Sequence, residues 1–211
     1  NYIMKIFKNR TEAGRLLAEK LADMKNTDSI VLAIPRGGVI VAKEIAKALG
    51  LHLDIIVTRK IGAPGYDEYA IGAIDISGNG IFNESEKVRV DKKWLENKIL
   101  AEKKEAERRW RTYRKGRGPL DLLGKTAIII DDGIATGLTM EVAIDYAKRE
   151  GAQEVIVAVP VASPDTVLKL KNKAEIRVLE TPAFFSAVGE WYENFPQVSD
   201  DEVIAAIRVL R

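Results

Sequence analysis

The chain has 211 residues, enough for one ordinary α/β domain with additions, and its 46% hydrophobic content supports a sizeable core. The 33 Lys and Arg residues nearly balance 31 Asp and Glu residues, which argues against nucleic acid binding by the whole surface but permits a local basic patch. The absence of cysteine and the single histidine, His52, exclude disulfides, thiol catalysis and cysteine-ligated zinc, and they disfavour Ser-His-Asp machinery.

The distribution of apolar residues along the chain predicts a single domain without a membrane-spanning segment. No stretch approaches 18 apolar residues, so no membrane-spanning helix is predicted. The N-terminal residues contain no long apolar run, so we expect no secretory signal, and the cytoplasm is the expected location. There is no internal repeat and no low-complexity linker, and we therefore expect residues 1–211 to form one domain.

Hydrophobic spacing predicts helices and strands that alternate along most of the chain. The predicted helices are Thr11–Met24 with Thr11 as N-cap, Val39–Leu49 closed by Gly50, Leu138–Glu150, Asp165–Lys171 and Asp200–Leu210. The predicted strands are Ser29–Ile34, Leu53–Thr58, Ala70–Ile76, Ile81–Asn83, Thr126–Ile130, Glu154–Val159 and Ile176–Leu179. This alternation predicts an α/β fold with a mostly parallel sheet flanked by helices. His52 is expected to have a structural role in a helix-to-strand turn.

A long charged segment, Lys87–Arg117, interrupts the alternation. Its apolar residues, from Leu95 to Tyr113, lie near one face of a helix, which predicts an inserted amphipathic helix. The segment has 13 basic and 5 acidic residues. We expect these charges to form a solvated face; RNA binding and a dimer contact are the alternatives.

The segment Ile128–Thr139 carries the strongest functional pattern. Asp131 and Asp132 follow a buried strand, and Gly133–Thr139 then leads into a helix. Glycines let backbone N–H groups approach a phosphate, and a helix N-terminus adds partial positive charge. The carboxylates suit sugar hydroxyls or a hard metal ion. The pattern predicts a site for a phosphorylated ribose with a divalent metal; a solvated Asp pair before a capped helix is the alternative.

This pattern resembles the signature of type I phosphoribosyltransferases, which is an apolar strand, two acidic residues and a short Thr/Gly phosphate loop. The resemblance extends from about Ser29 to Leu179. The segments PRGG, RKIGAPG and FSAVGEWY, which begin at Pro35, Arg59 and Phe185, resemble a bacterial and archaeal branch of that family. The resemblance implies a Rossmann-like core of about 29–180, with the inserted helix at about 87–117. It also implies small hood or dimer elements from 1–28 and 181–211.

The resemblance also implies a role for each matching residue. Asp131 and Asp132 would bind the ribose hydroxyls of phosphoribosyl pyrophosphate (PRPP), and Mg²⁺ directly or through water. Arg59 and Lys60, together with Asp132, would be catalytic. The 5′-phosphate would be bound by Gly133, Ile134, Ala135, Thr136, Gly137, Leu138 and Thr139. The pyrophosphate would be bound by Pro35, Arg36, Gly37, Gly38, Arg59 and Lys60. The loop Ile61–Tyr69 would close over the reaction centre.

The implied activity is magnesium-dependent transfer of ribose 5-phosphate from PRPP to a nitrogenous acceptor, expected to be a nucleobase, by a homodimer. One position departs from the family. Purine-salvage members have an acid where this chain has Ala135, and alanine cannot move a proton. The alternative is a non-catalytic regulator that senses PRPP or a nucleotide, with RNA bound by Lys87–Arg117. The aromatic tail Ala183–Phe195 would stack on a base as a hood, or serve core or dimer packing.

The substitution Asp132→Asn tests this site assignment. Because it removes a carboxylate charge while keeping the side-chain shape, we expect severe loss of PRPP affinity without unfolding. Calorimetric titration with PRPP and magnesium measures the effect. Unchanged affinity would show that Asp132 is not part of the PRPP-binding site.

Overall fold

A five-stranded parallel sheet forms the centre of the molecule. The computed structural model describes residues 6–210, so the start of the predicted 1–28 element lies outside it. The strands are β1 (Ser29–Ala33), β2 (His52–Ile55), β3 (Thr58–Ala63), β4 (Tyr66–Asp75), β5 (Gly80–Phe82), β6 (Thr126–Ile130), β7 (Glu154–Val161) and β8 (Glu175–Glu180). The order in the parallel sheet is β2-β1-β6-β7-β8, which confirms the predicted fold class.

Helices cover both faces of this sheet. They are α1 (Arg10–Lys20), α2 (Gly37–Leu49), α3 (Glu84–Lys87), α4 (Lys92–Tyr113), α5 (Leu138–Arg149), α6 (Pro164–Leu170) and α7 (Asp200–Val209). Because side chains alternate along a strand, Val31 and Ile128 join the core under α1, α2 and α7. Leu32 and Ile129 join the core under α5 and α6. None of the helices described within residues 6–210 is long and apolar enough to cross a bilayer.

A second, antiparallel sheet of β3, β4 and β5 corrects two predictions. The apolar run Leu53–Thr58 is not one strand, because the buried chain passes from the parallel sheet to the second sheet between Ile55 and Thr58. The predicted loop Ile61–Tyr69 is a hairpin made by the end of β3 and the start of β4. Its Gly and Pro content is typical of a loop, but Gly65 has a φ of 77° and turns the chain tightly between the strands. The predicted hairpin between β4 and β5 is confirmed.

Several predicted helix ends also change. Helix α1 begins at Arg10, and its cap is Asn9 rather than Thr11, because the Asn9 side chain accepts a hydrogen bond from the Glu12 N–H. His52 is the first residue of β2 rather than part of a turn. The segment Lys87–Arg117 is not one helix. It comprises the end of α3 and then α4, whose N-cap is Asp91.

The C-terminal end of α4 is fixed to the parallel sheet by a buried ion pair. Arg114 donates two hydrogen bonds to the Asp54 carboxylate, at 2.7 and 2.9 Å, and both side chains are less than a tenth exposed. The Arg114 guanidinium also lies 4.0 Å from the Trp110 ring centroid. Arg117 adds a contact to Asp54 at 3.4 Å. These contacts attach the C-terminal end of α4 to strand β2 of the parallel sheet.

The two ends of the described chain pack together. The Phe7 N–H donates to the Trp191 carbonyl, and the Glu193 N–H donates to the Phe7 carbonyl, both over 2.8 Å. Phe7, Trp191 and Tyr192 are buried in one cluster with Val161 of β7. The start of α1 and the aromatic tail are therefore brought together at the carboxyl end of β7.

Candidate active site

The carboxyl ends of β1 and β6 open on one cavity of about 550 Å³. The strands are neighbours in register, and the Ile34 N–H donates to the Ile130 carbonyl over 2.9 Å, so the segments after them start side by side. The predicted residues that line the cavity are Pro35, Arg59, Lys60, Asp131, Asp132, Gly133, Ile134, Ala135, Thr136, Gly137 and Thr139. Arg36, Gly37, Gly38 and Leu138 lie outside its lining.

The glycines of the PRGG segment allow it to approach the acidic pair. A Cβ atom on Gly37 would overlap Asp132 Oδ2 and would lie 2.8 Å from Asp132 Cγ. A Cβ atom on Gly38 would lie 2.8 Å from the Ile130 carbonyl oxygen. These approaches exclude a side chain at either position. The glycines therefore have a packing role, beside the predicted one of admitting pyrophosphate.

Arg36 points away from the cavity. Its guanidinium lies 3.8 Å from the Asp200 carboxylate at the start of α7. The Pro35–Arg36 peptide bond is cis. Contact between Arg36 and pyrophosphate stays a prediction, and it requires the side chain to leave Asp200.

The loop between β6 and α5 presents backbone and hydroxyl groups to the cavity. Gly137 has a φ of 82°, which turns the chain directly into α5. Thr166, from the first turn of α6, donates a hydrogen bond to the Ala135 carbonyl over 2.6 Å and fixes the loop. Thr136 is exposed beside it. A glycine turn followed by the N-terminus of a helix is an arrangement that binds phosphate.

Asp131 and Asp132 both line the cavity, in different surroundings. The Asp132 N–H donates to Asp131 Oδ1 over 2.8 Å. Burial first, and then the charge of Asp132, raise the pKa of Asp131 well above its ordinary value, while the charge of Lys60 acts in the opposite direction. A cation brought to this position would favour the charged form of Asp131.

Asp132 is held by residues from both ends of the described chain. Arg10 Nε donates to Asp132 Oδ2 over 2.8 Å, with the two side chains only 8% and 15% exposed. The Arg10 guanidinium also donates to the Pro196 carbonyl over 2.7 Å and lies 3.8 Å from the Phe195 ring centroid. The Tyr192 hydroxyl donates to the Asp132 carbonyl over 2.6 Å. Sequence reasoning missed Arg10, because contacts between such distant segments leave no local pattern. Tyr192 belongs to the aromatic tail for which stacking or packing was predicted, and its contact with Asp132 was not predicted.

Arg59 and Lys60 lie within β3, rather than in a loop after a strand of the parallel sheet. Both residues line the cavity. They do so although they are successive residues of a strand, whose side chains extend from opposite faces of β3. Lys60 is exposed, and its charge acts on Asp131. Arg59 is 25% exposed and pairs with Glu102 of α4 at 2.7 Å.

Helix α4 forms a charged wall of the cavity. Lys98, Glu102 and Arg109 line the cavity, and their spacing places them on one stripe of the helix. Asp67 and Glu68 join them from the β3–β4 hairpin. A hydrogen bond to Asp67, at 3.2 Å, is the largest cause of a raised pKa at Lys98.

The prediction that the charges of Lys87–Arg117 form a solvated face is therefore wrong for this stripe. The sequence carried no signal for it, because opposite charges four residues apart, such as Lys98 and Glu102, also occur elsewhere on α4. RNA binding by the segment stays a prediction.

No aromatic side chain lines the cavity within the described residues. In the tail, Trp191 and Tyr192 are buried, and Phe185 stacks on Trp191 with the ring centroids 6.3 Å apart. Val188 is the tail residue that lines the cavity, and it covers Gly133. Of the alternatives for the tail, the structure favours core packing over an aromatic hood.

The acidic pair fits a magnesium ion that binds together with a phosphorylated substrate. Within residues 6–210, no group of three or more acidic or histidine side chains is arranged to hold a metal. Mg²⁺ ordinarily binds through one or two carboxylates, with water and substrate phosphates as its other ligands. Each carboxylate has one oxygen in a hydrogen bond, but the partner of Asp132 is the Arg10 cation, which would repel a metal ion, so Asp131 is the better placed of the two.

Comparison with known proteins identifies the family. A family model described as a phosphoribosyl transferase domain matches residues 5–194. The chain belongs to the phosphoribosyl transferase family. A Mycobacterium tuberculosis protein, whose name gives phosphoribosyl transferase with no acceptor, is 42% identical over 205 residues, which are 96% of this chain and 46% of that protein. The chain thus spans about half the length of the curated relatives it matches.

Two further relatives agree with this membership. A crystal structure of a Thermus thermophilus protein is 40% identical, with a TM-score of 0.82, and the match covers 97% of this chain and 99% of that one. The uracil phosphoribosyltransferase of Acinetobacter baylyi is 39% identical over 100 residues, which are 46% of this chain and 47% of that enzyme. The resemblance first indicated by Ile128–Thr139 is confirmed.

The substitution Arg10→Met tests the support of Asp132. It leaves a mostly buried carboxylate without its cation, so we expect the free energy of unfolding to fall by about 3–5 kcal/mol. Arg15→Met, on the same helix, is the matched control. Arg15 also pairs with a carboxylate, on Glu44, but its side chain is 70% exposed. Its loss should change stability by less than about 1 kcal/mol in urea denaturation. Equal effects of the two variants would contradict the account.

The substitution Gly37→Ala tests the close approach of the PRGG segment to Asp132. The added methyl group displaces the carboxylate from Arg10, and we expect a loss of about 1–3 kcal/mol in stability together with weaker PRPP binding. Gly118→Ala is the control, because no described atom lies within 4 Å of the added Cβ and no positive φ is involved. Denaturation and calorimetry on both variants decide the point. Normal PRPP binding by the Gly37→Ala variant would show that the close approach of this segment to Asp132 is dispensable.

Proposed function

We propose that this chain transfers ribose 5-phosphate from PRPP to a nitrogenous acceptor and releases pyrophosphate, in a magnesium-dependent reaction. One observation carries the proposal. The acidic pair, the loop before α5 and the cations of β3 surround a single cavity at the carboxyl edge of the sheet. These groups match the three polar parts of PRPP, which are its neutral sugar hydroxyls and its two anionic groups, the 5′-phosphate and the pyrophosphate.

The loop and the acidic pair would bind the sugar phosphate. Backbone N–H groups of residues 135–139 and the N-terminus of α5 would hold the 5′-phosphate. The carboxylates of Asp131 and Asp132 would accept hydrogen bonds from the ribose hydroxyls. Arg10 fixes the orientation of Asp132, so this carboxylate needs little reorganisation when the substrate binds.

The bond change itself needs no covalent nucleophile from the protein. The C1′–O bond breaks and its electron pair leaves with pyrophosphate. The C1′–N bond forms from the acceptor lone pair, and the acceptor nitrogen gives up its proton to water or to the released pyrophosphate. Arg59 and Lys60 would stabilise the charge that develops on pyrophosphate. Magnesium, when bound, would neutralise part of the same charge.

The hairpin and helix α4 would limit the access of water. The β3–β4 hairpin is tied to α4 through Asp67 and Lys98, and both residues line the cavity. A glycosyl cation reacts readily with water, so a closed site is needed for transfer to the acceptor. The proposed role matches the one predicted for Ile61–Tyr69, although this segment is a hairpin.

A nucleobase is the first acceptor class to test, because the uracil phosphoribosyltransferase of Acinetobacter baylyi is among the similar proteins. The described cavity offers no aromatic ring for stacking, so a base would be held by hydrogen bonds to charged groups. Ala135 has no proton acceptor. The acidic side chains that line the cavity outside the Asp pair are Asp67, Glu68 and Glu102.

Pyrophosphate release from PRPP across a panel of nucleobases, with and without magnesium, tests this function. We expect release with a matching base and magnesium. Lys60→Met should lower kcat about 100-fold or more, because it removes a positioned charge from the leaving group. Lys47→Met, which changes an exposed lysine of α2, should have no effect.

Two outcomes would contradict the proposal. PRPP binding without release for any base would indicate the alternative, a non-catalytic sensor. Equal activity of Lys60→Met and Lys47→Met would remove Lys60 from the reaction. Dimerisation and RNA binding stay predictions that this assay does not address.

A further inference from the structure

The contacts of Arg59 reach Glu102 of helix α4, a residue to which the proposed reaction assigns no role. Glu102 Oε2, on α4, accepts a hydrogen bond from Arg59 Nε at 2.8 Å and lies 2.7 Å from Nη2. The two side chains are 25% and 15% exposed, and both line the cavity. A charge-assisted hydrogen bond with a second close contact on the same guanidinium restricts where that guanidinium can lie.

We propose that Glu102 is a positioning residue that acts through Arg59, holding this cation at the pyrophosphate end of the cavity. The inference rests on the proposed function, in which Arg59 binds the leaving group. A guanidinium carries five N–H donors on three nitrogens, and Glu102 contacts two of these nitrogens, so the donors of the third remain for a ligand. An arginine side chain that is ordered in advance loses less conformational entropy when the ligand binds.

The surroundings of Glu102 suit this role. Its second oxygen lies 3.4 Å from Lys98 Nζ, and Lys98 also contacts Asp67 on the hairpin. Glu102 and Asp67 together balance the charges of Arg59 and Lys98, so Arg59 offers a ligand oriented N–H donors rather than an excess of positive charge.

Helix α4 is a rigid platform for Glu102. One turn before the Lys98–Glu102 stripe, Leu95 is buried in a cluster with Ile61 of β3. At the other end of the helix, the buried pair of Arg114 and Asp54 ties α4 to the parallel sheet. A side chain mounted on such an element is placed more reproducibly than one on a loop.

The opposite role for Glu102 predicts an opposite result. If Glu102 only competed with pyrophosphate for Arg59, its removal would release the guanidinium and strengthen PRPP binding. If Glu102 positions Arg59, its removal weakens PRPP binding, and it does so only while Arg59 is present. The two roles are therefore separated by the sign of the effect and by its dependence on Arg59.

A double-mutant cycle that measures PRPP affinity tests the inference. Calorimetry with Mg²⁺ and PRPP compares the wild type with Glu102→Ala, Arg59→Met and the double variant. We expect each single substitution to weaken binding about tenfold or more, and the double variant to bind no more weakly than Arg59→Met. Glu96→Ala, at an exposed position of α4, should bind like the wild type. Tighter binding by Glu102→Ala, or an equal loss in the Arg59→Met background, overturns the inference.

A second readout does not depend on PRPP. The Nε–H resonance of Arg59 in ¹⁵N NMR should be protected from solvent exchange in the wild type and in Glu96→Ala. It should lose protection in Glu102→Ala and regain part of it in Glu102→Gln, whose amide oxygen still accepts a hydrogen bond. Full protection in Glu102→Ala overturns the inference. If Glu102→Ala loses protection but the wild type does not bind PRPP, the proposed function fails and the positioning contact stands.

Discussion

The ion pair between Arg10 and Asp132 is the interaction on which the candidate site depends. It joins the first helix to the acidic pair at the end of the central strand, and the tail reinforces it through Pro196 and Phe195. A carboxylate at a strand end is ordinarily solvated and mobile. Here the buried arginine fixes it within hydrogen-bond distance, and the absence of a side chain at Gly37 leaves room for it. The ends of the described chain are therefore part of the site's construction.

The charged groups of the cavity fall into two sets with different physical roles. The loop before α5 provides backbone donors, whose direction is fixed by the fold. The cations of β3 and α4 provide side-chain charge, which must be oriented by neighbouring carboxylates. Arg59 with Glu102 and Arg10 with Asp132 follow the same design, in which an ion pair orients one partner toward a ligand. The proposed 5′-phosphate site would need no such pairing, because its donors are backbone N–H groups at the start of α5.

The parallel sheet and the loop between β6 and α5 were predictable from sequence, because both depend on short-range pattern. Ala127–Ile130 is a continuous apolar run, and the glycines after it allow the chain to turn into a helix. The β3–β4 hairpin was not predictable in the same way. Its strands have few apolar residues near the turn, and Gly62, Pro64 and Gly65 are equally typical of a loop.

The supporting residues could not be derived from local pattern. Arg10 is 122 residues from Asp132, and Glu102 is 43 residues from Arg59. Nothing in the sequence around Arg10 distinguishes it from Arg15, which lies one turn further along the same helix and is exposed. Only the packing of the tail against the start of α1 separates a buried functional cation from a surface one.

A crystal structure of the protein with magnesium and PRPP tests the central claim most directly. The account predicts a 5′-phosphate against the backbone of residues 135–139, ribose hydroxyls on the Asp131–Asp132 pair and pyrophosphate beside Arg59 and Lys60. PRPP bound elsewhere, or an empty cavity at a saturating concentration, would contradict it.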